Sequence, residues 1–498
     1  MARLPEIYKT SLSLLTDLYQ MTMAYGYWKL GRAEREAAFH LFYRKNPFQG
    51  GYAVAAGLDY IVEYLQQFRF YQDDIDYLAG LKGNDDRPLF QREFLDYLAT
   101  MELRVDIDAI PEGTVVFPHE PLVRVKGPIL QCQILETALL NMINYQTLIA
   151  TKAARICTAT EGQPVLEFGL RRAQGIDGSL AASRAAYLGG CAATSNVLAG
   201  KLFGIPVRGT HAHSWIMSFD DELSAFEGYA QAMPNNCVFL VDTYDTLEGV
   251  RHSIEIGKQL RAKGHEMVGI RLDSGDLAYL SIEARKLLDE AGFTKAAIIA
   301  SNDLDEHIIA SLKAQGATIA VWGVGTKLVT AYDQPALGGV YKLGAVKLDN
   351  GQWQPKVKLS EQAIKTSTPG ILQVRRYRHS SGAVADMIYN ELQGLSDGEV
   401  MVDPLDSTRQ RQMENTEDSE DLLVPVVRQG NIVYQQPPLD LIRKHAREQL
   451  AMFHAGILRH DNPHEYPVGL EKRLHTLKTE LILEARGDTD TQCSCVTD

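Results

Sequence analysis

Six short polar segments in the middle of the chain carry side chains that could bind and activate a charged substrate. Each segment follows a short run of apolar or β-branched residues. The segments are 167–172, 209–214, 242–246, 271–276, 301–303 and 323–326. In a parallel α/β sheet or barrel, ligands bind at the carboxyl ends of the strands. The spacing therefore predicts one shared site at that end of the sheet.

Three arginines in these segments could bind an anion. A guanidinium forms charge-assisted hydrogen bonds to carboxylate or phosphate, each contributing about 1.5–3 kcal/mol. The arginines are Arg171, Arg172 and Arg271. For any one of them, a structural ion pair with Glu167 or Asp273 is the alternative. Together, the three favour an anionic ligand.

Four aspartates in the same segments offer oxygen ligands of the kind that Mg²⁺ binds together with phosphate oxygens and water. They are Asp242, Asp245, Asp273 and Asp276. The alternative role for an aspartate just before a helix is to cap its first turn. We expect Asp273 to be functional and Asp245 to be a cap, and we take Asp242 and Asp273 as candidate metal ligands.

Two further features could handle phosphate. Gly323, Gly325 and Thr326 follow a predicted strand, where backbone N–H groups can approach a phosphate; a tight turn without a ligand is the alternative. His211 and His213 lie in a polar segment and not in an apolar helix face. Either histidine could transfer a proton or accept a phosphoryl group.

Composition excludes several classes of protein. The chain has 498 residues, and its 50 basic and 63 acidic side chains give a net charge of −13. This balance argues against binding to nucleic acid or to an anionic membrane. No apolar run approaches the roughly 18–20 residues that span a bilayer. Six cysteines without metal-ligand spacing indicate reduced thiols and a cytoplasmic protein. We assign no function to Cys493 and Cys495, which lie in a polar terminal tail.

The middle of the chain alternates strand and helix, which is typical of a parallel α/β sheet or barrel. The predicted strands are 165–169, 206–210, 238–242, 267–272, 296–300 and 318–322. The predicted helices between them are 246–264, 277–292 and 305–316. Gly264, Gly292 and Gly316 end these helices.

The flanking regions have a different pattern. Residues 103–128 predict antiparallel β structure, and short β runs return at 340–348 and 372–377. Residues 403–420 are polar and acidic and are expected to form a loop or a disordered segment. The predicted domains are 1–140 as the first part of a flanking α/β domain, 141–345 as the catalytic domain, 346–485 as the completion of the flanking domain, and 486–498 as a flexible tail.

These segments resemble the nicotinate phosphoribosyltransferases, and the resemblance extends from about Leu14 to past Tyr341. The matching segments are 15–23 (LTDLYQMTM), 44–48 (RKNPF), 167–175 (EFGLRRAQG), 209–214 (GTHAHS), 241–244 (VDTY), 271–276 (RLDSGD), 323–326 (GVGT) and 338–343 (GGVYKL). The resemblance implies an irregular parallel α/β barrel plus an α/β sandwich domain split around it. It also implies a homodimer whose active site is shared between subunits.

The same resemblance assigns roles to individual residues. Nicotinate would contact Tyr19 of the other subunit together with Phe168, Thr210 and Arg271. The phosphoribosyl and phosphate groups would be bound by Arg171, Ser274, Gly275, Gly323, Gly325 and Thr326. The catalytic residues would be His213, transiently phosphorylated by ATP, and Asp273. The implied cofactor is Mg²⁺ or Mn²⁺, and ATP is a co-substrate.

The implied reaction joins nicotinate to phosphoribosyl pyrophosphate, as the first step of NAD synthesis from nicotinate. Related enzymes that use nicotinamide carry an acidic residue where Ser195 aligns, whereas the segment 194–196 is neutral and leaves the arginines unopposed. The alternatives are a phosphoribosyltransferase acting on nicotinamide or quinolinate, and a non-catalytic barrel that binds nucleotides.

Overall fold

The computed structural model describes residues 8–396, 398–413 and 418–487. The helices are α1 (Leu18–Lys29), α2 (Leu58–Gln67), α3 (Gln72–Gly80), α4 (Arg92–Ala99), α5 (Ile129–Ile134), α6 (Glu136–Ala159), α7 (Ile176–Leu188), α8 (Val197–Phe203), α9 (His213–Met217), α10 (Glu222–Ala232), α11 (Thr246–Ala262), α12 (Leu277–Glu290), α13 (Glu306–Ala314), α14 (Thr326–Val329), α15 (Leu439–Ala451) and α16 (Lys472–Arg486).

The strands are β1 (Glu36–Phe42), β2 (Ala53–Val54), β3 (Asp106–Ala109), β4 (Val115–Val116), β5 (Val123–Pro128), β6 (Val165–Glu167), β7 (Ala193–Thr194), β8 (Val238–Leu240), β9 (Gly269–Leu272), β10 (Ala297–Ala300), β11 (Val321–Val324), β12 (Val340–Lys347), β13 (Trp353–Pro355), β14 (Leu372–His379), β15 (Gly382–Asn390), β16 (Val400–Val402), β17 (Gln410–Gln412), β18 (Asp418–Asp421), β19 (Val424–Arg428), β20 (Asn431–Ile432) and β21 (Val468–Glu471). By its contacts the chain divides into a split unit, Met1–Thr147 with Ala336–Asp498, and a central unit, Leu148–Pro335.

The central unit contains a six-stranded sheet in the order β7-β6-β11-β10-β9-β8. All of its strand pairs are parallel. Ile270, Leu272 and Trp322 are fully buried, as expected for a parallel sheet covered on its faces. The predicted α/β class with a parallel sheet is confirmed. Among the described residues, backbone pairing leaves β7 and β8 as sheet edges, so the pairing itself does not establish a closed barrel.

The segment that follows β7 contacts both edge strands of the sheet. Val207 makes an isolated parallel bridge with Thr194 of β7. Four residues later, His211 Nε2 accepts a hydrogen bond from the backbone N–H of Leu240 in β8, at 3.3 Å. Burial lowers the pKa of His211 to about 4, so the ring is neutral near pH 7 and can act as an acceptor. The Tyr229 ring packs edge-on against it, with the centroids 4.7 Å apart.

Most predicted central elements are confirmed, with three differences. Residues 206–210 form only the isolated bridge at Val207 and no strand, because Pro206 has no N–H to donate to a ladder. The last strand is 321–324 and not 318–322, since Thr318 binds Ser281 through its N–H and its hydroxyl, at 3.2 and 2.6 Å. Strand β7 was not predicted, because two residues are too few to show a pattern.

The split unit holds two larger sheets and the β2-β4 pair. One has the order β13-β12-β1-β5-β3-β19-β20, and the other β17-β16-β21-β15-β14-β18. The predicted antiparallel β structure in 103–128, and the β runs near 340 and 372, are confirmed. The predicted loop or disordered segment at 403–420 is wrong at β17 and β18, and its residues 414–417 lie outside the described residues. Strand β18 pairs with β14, where Arg375 binds Asp421 at 2.9 Å, a partner distant in sequence that local composition does not reveal.

The remaining predictions concern cysteines, membrane spans and the tail. Among the described residues, Cys132, Cys157, Cys191 and Cys237 take part in no disulfide bond. Within the same ranges, the helices are too short or too polar to cross a bilayer. Cys493 and Cys495 lie outside the described residues, as does the predicted flexible tail beyond Gly487.

Candidate active site at the strand ends

Phe168 follows the last residue of β6, and its backbone N–H donates to Val324 O at 2.8 Å. Its ring is buried, and two glycines make room for the residue, one next to the ring and one next to the backbone. A Cβ at Gly323 would lie 2.7 Å from Cδ2 and Cε2 of the ring, and a Cβ at Gly325 would lie 3.1 Å from Phe168 O. The predicted phosphate-binding role of these glycines stays a prediction, but the position of Phe168 is a separate reason for both.

Arg271, in β9, extends beside this ring. Its Nε donates to Ser301 Oγ at 2.8 Å, its Nη1 to Thr210 Oγ1 at 3.1 Å, and its Nη2 to Asp273 Oδ1 at 2.9 Å. The guanidinium carbon lies 5.7 Å from the centroid of the Phe168 ring. An aromatic surface and a fixed cation therefore lie side by side, an arrangement suited to an aromatic acid.

Asp273 is shared between Arg271 and a histidine. Its Oδ1 accepts hydrogen bonds from Arg271 and Ser301, and its Oδ2 lies 3.9 Å from His213 Nε2. Burial opposes ionisation, but the Ser301 hydrogen bond and the charge of Arg271 lower the pKa of Asp273 below its ordinary value. The expectation of unopposed arginines is thus wrong for Arg271, because a largely buried guanidinium without a counterion would be costly.

Asp242 lies directly behind this pair. Its side chain is 1% exposed, and its Oδ2 accepts the Asp273 N–H at 2.8 Å and the Ser274 hydroxyl at 2.7 Å. Its Oδ1 is buried without a hydrogen bond and lies 4.0 Å from His213 Nε2. A carboxylate oxygen left in this way lacks compensation for its lost hydration, and a donor or a cation bound there would supply it.

His213 begins α9 and faces these carboxylates. Its Nδ1 lies 3.1 Å from Thr243 Oγ1, and its Nε2 lies near both Asp242 and Asp273. The side chain is 40% exposed, so a ligand can reach it. The structure therefore gives the two histidines different surroundings: His213 lies among the polar groups, whereas His211 packs into the sheet edge.

These carboxylates fit a magnesium ion that is also bound by phosphate. The described residues contain no cluster of three or more His, Cys, Asp or Glu side chains arranged to hold a metal ion. Mg²⁺ commonly binds through one or two carboxylates together with water and substrate phosphates. The unpartnered Oδ1 of Asp242 and the Oδ2 of Asp273 are the oxygens suited to that arrangement.

The other predicted residues of the central unit lie around this cluster. Arg171 and Arg172 are exposed on the turn Leu170–Arg172. The alternative of an ion pair with Glu167 is wrong for them, because the Glu167 carboxylate binds other groups. Thr326 begins α14, and Gly275 has a positive φ of 76° in the turn before α12.

Tyr19 belongs to the split unit and is described separately. It lies on α1 and is 49% exposed. Its hydroxyl donates to Glu136 Oε1 at 3.3 Å and accepts from Gln20 Nε2 at 3.2 Å. Burial of the hydroxyl and the nearby carboxylate of Glu136 raise the pKa of Tyr19.

Two aspartates cap helices, as the alternative interpretation stated. Asp245 accepts the N–H of Glu248 at 2.9 Å at the start of α11, and Asp276 accepts that of Tyr279 at 3.0 Å at the start of α12. The predicted cap at Asp245 is confirmed. In each of these two side chains, Oδ1 is engaged by the backbone of the following helix.

Two residues of the cluster were not singled out from the sequence. Ser301 follows β10 and contacts both Arg271 and Asp273, and Thr243 contacts His213. Both lie within the polar segments at strand ends. Their position one to three residues after a strand was the available signal, but a lone hydroxyl carries little chemical information without its neighbours.

Comparison with known proteins places this geometry in a family. A model described as the nicotinate phosphoribosyltransferase family matches residues 164–386. Models of the N-terminal and C-terminal domains of that enzyme match 14–144 and 373–478. Models of this enzyme therefore match both flanking regions of the chain as well as the segment that contains the candidate site.

Individual relatives agree with these models. A nicotinate phosphoribosyltransferase of Bacillus subtilis is 45% identical, with 96% of each chain covered. The crystal structure of human nicotinic acid phosphoribosyltransferase superposes with a TM-score of 0.81 at 34% identity, covering 94% of this chain and 99% of that one. A nicotinate-nucleotide pyrophosphorylase from Pyrococcus furiosus, at 22% identity and a TM-score of 0.68, shares the fold. This chain belongs to the nicotinate phosphoribosyltransferase family.

Proposed function

We propose that the protein forms nicotinate mononucleotide and pyrophosphate from nicotinate and phosphoribosyl pyrophosphate, with coupling to ATP hydrolysis. The observation that carries this proposal is the placement of Arg271 beside the Phe168 ring, with Asp273 linking Arg271 to His213. Together with the family membership, it supplies an aromatic surface, a cation for a carboxylate and a candidate phosphoryl acceptor in one cluster.

Nicotinate fits the first two of these features. Its pyridine ring would stack on Phe168, and its carboxylate would accept hydrogen bonds from Arg271 and Thr210. Three of the five guanidinium N–H groups of Arg271 are used within the protein, so two remain for a ligand. Ser195 is neutral and half-buried and places no negative charge against the acid.

The transfer itself needs no protein nucleophile. The pyridine nitrogen attacks the anomeric carbon while the bond to pyrophosphate breaks, and the leaving pyrophosphate takes the electron pair. The protein contributes by holding the two reactants in line and by stabilising charge. Arg171, Ser274, Gly275, Gly323, Gly325 and Thr326 would bind the phosphoribosyl and pyrophosphate groups. Bound at Asp242 and Asp273, Mg²⁺ or Mn²⁺ would neutralise pyrophosphate charge.

His213 is the proposed site of ATP coupling. When Nδ1 carries the proton and donates it to Thr243, Nε2 has a free lone pair. Attack of Nε2 on the γ-phosphorus of ATP forms the phosphohistidine and releases ADP, and later hydrolysis returns the histidine and phosphate. The 40% exposure of the side chain allows this approach.

We also propose a cytoplasmic homodimer in which Tyr19 of one subunit contacts nicotinate in the other. Leu18, Tyr19 and Met23 lie on α1 and are 57%, 49% and 42% exposed. Tyr19 and Met23 are four positions apart and share one helix face, whereas Leu18 lies beside that face. Exposed apolar side chains grouped in this way are typical of an interface. The central sheet is proposed to curve into the irregular barrel of the family, with the His211 to Leu240 contact at its gap.

The first test is a product assay. Purified protein is incubated with phosphoribosyl pyrophosphate, Mg²⁺ and either nicotinate or nicotinamide, with and without ATP. Nicotinate mononucleotide and pyrophosphate in equal amounts, increased by ATP, are expected. Product formed with nicotinamide but not with nicotinate would show that the substrate is the amide. Ligand binding without pyrophosphate release would indicate a binding protein.

The shared site has its own test, in which Tyr19→Ala and His213→Ala are made in separate chains. Each variant alone is expected to lose most ATP-stimulated activity. After mixing in equal amounts and random subunit exchange, about half of the dimers are mixed, and a shared site leaves one of the two sites in each mixed dimer intact. Recovery toward about one quarter of wild-type activity is therefore expected. No recovery despite mixed dimers in native mass spectrometry would contradict a shared site.

A further inference from the structure

Glu167 is a buried carboxylate that the proposed reaction does not use. Its side chain is 1% exposed, and no lysine, arginine or histidine among the described residues forms an ion pair with it. A buried charge must be compensated by other polar groups. The conformation of this part of the sheet therefore depends on the hydrogen bonds that the carboxylate accepts.

Three donors from different elements supply that compensation. Oε1 accepts the backbone N–H of Gly169. Oε2 accepts the hydroxyls of Ser183, in α7, at 2.8 Å and of Thr194, in β7, at 2.6 Å. Asn196 extends the network, donating its N–H to Thr194 Oγ1 at 2.9 Å and its amide to Ser183 at 3.2 Å.

The residue enclosed by this network is Phe168. The carboxylate of Glu167 binds the N–H two residues along, so the backbone on both sides of Phe168 is fixed to α7 and β7. From the opposite direction, Gly323 lies against the ring, since a Cβ there would come within 2.7 Å of it. The backbone next to Phe168 is therefore held by hydrogen bonds of Glu167, and the ring packs closely against Gly323.

We propose that Glu167 is a positioning residue for the aromatic substrate: it holds Phe168 where a pyridine ring can stack beside Arg271. This inference rests on the proposed function for the identity of the ring. It predicts an effect on nicotinate that is larger than the effect on phosphoribosyl pyrophosphate, because nicotinate is the substrate whose ring is proposed to stack on Phe168.

The chain offers matched variants for testing this role. Glu167→Gln keeps the size of the side chain but places an amide where two hydroxyls donate. Thr194→Val removes one of those hydroxyls without changing shape, and Thr194→Ser retains it. Ser183→Ala is matched by Ser281→Ala, since Ser281 is an equally buried hydroxyl of the central unit, on α12, whose partners are Ala278 and Thr318.

Steady-state kinetics separates positioning from a general loss of structure. For Glu167→Gln we expect the KM for nicotinate to rise at least tenfold. The KM for phosphoribosyl pyrophosphate should stay within twofold, and kcat at saturating nicotinate within threefold. Thr194→Val and Ser183→Ala should follow in the same direction, and Thr194→Ser and Ser281→Ala should match the wild type. Equal changes in both KM values, or a lowered melting temperature with an unchanged nicotinate KM, would overturn the proposal.

Hydrogen exchange gives a readout that does not depend on activity. The peptide containing the Gly169 amide should exchange faster in Glu167→Gln than in the wild type, while peptides from α12 stay unchanged. Unchanged exchange at Gly169 would overturn the positioning role. If the wild type forms no product from nicotinate, the proposed function fails, and exchange still decides whether Glu167 fixes the turn at Phe168.

Discussion

Each unit of the molecule contains an arginine–aspartate pair, and the two pairs differ in how completely they are enclosed. In the split unit, Arg376 and Asp386 are both 0% exposed, whereas in the central unit Arg271 and Asp273 are 13% and 30% exposed. The contact distances are alike, at 2.6 and 2.9 Å. The difference lies in what surrounds them.

The Arg376 pair is enclosed by protein groups, which accept hydrogen bonds from four of the five guanidinium N–H groups. Arg376 also donates to Gln449 Oε1 at 3.0 Å and Val115 O at 2.8 Å, and Asp386 accepts the Tyr466 hydroxyl at 2.9 Å. Around Arg271, by contrast, guanidinium N–H groups remain for a ligand. An arginine–aspartate ion pair therefore does not by itself indicate a functional site. The indication comes from the N–H groups of Arg271 that have no partner among the described residues of the protein.

Removing the cation of the enclosed pair should have the largest effect. Arg376→Met leaves Asp386 buried without its partner, and breaking a buried pair in this way costs about 3–5 kcal/mol. Chemical denaturation should show this loss, while folded protein keeps its nicotinate KM. Replacing both residues by apolar ones should recover part of the stability. A loss below about 1 kcal/mol would mean that the enclosure contributes little.

Substitution in the Arg271–Asp273 pair, here called the open pair, should lower activity and leave the stability of the fold nearly unchanged. Arg271→Gln removes the charge that binds the substrate carboxylate, so kcat/KM for nicotinate should fall about 100-fold, equivalent to about 2.7 kcal/mol. The KM for ATP should change little. Arg271→Lys is the control that keeps charge but loses the paired geometry. A stability loss as large as that of Arg376→Met, with nicotinate kinetics unchanged, would make the two pairs equivalent.

Ser301 sharpens the comparison, because it is the group that joins both members of the open pair. Ser301→Ala removes the acceptor for Arg271 Nε and the donor for Asp273. A roughly tenfold rise in nicotinate KM is expected, close to the value of one hydrogen bond to a charged group. Ser301→Thr keeps the hydroxyl and should remain within about threefold of wild type. Unchanged kinetics in Ser301→Ala would show that Arg271 needs no such support.

The smallest effect concerns His211 and pH. Its pKa is lowered from 6.5 to about 4 in the folded protein, so the unfolded chain binds the extra proton between these values and stability falls as pH falls from 6.5 towards 4. Between pH 6 and pH 5 the contribution is about 1 kcal/mol. His211→Gln should flatten the pH dependence of denaturation by that amount, and identical slopes would contradict it.

Much of the central unit could be predicted from the sequence, because a buried parallel strand is a continuous apolar run and its helices carry regular apolar faces. The strands at 238–240, 269–272 and 297–300 were therefore predictable. The residues Arg271, Asp273 and His213 could be selected as chemically capable. The choice of Arg271 over Arg171 as the cation beside Phe168, however, depends on distances between strands that no local pattern contains.

Other features depended on partners distant in sequence. The acidic residues at 418–420 were predicted as a loop or a disordered segment, because the arginines of β14 that pair with them lie forty or more positions away. Ser301 and Thr243 are ordinary hydroxyls until Arg271, Asp273 and His213 surround them. The role of Gly323 as space for the Phe168 ring was hidden for the same reason. Sequence patterns predict burial and periodicity well, and pairwise contacts across the sheet poorly.

The contact from Leu240 to His211 has a consequence for how this sheet can vary by mutation. A backbone hydrogen bond between strands survives almost any substitution, since every residue except proline carries the donor and acceptor. Here the acceptor is an imidazole nitrogen, so a single codon change removes it. Selection can therefore keep or remove the hydrogen bond between Leu240 and His211 through one residue. The backbone hydrogen bonds between the neighbouring strands change little when side chains are substituted.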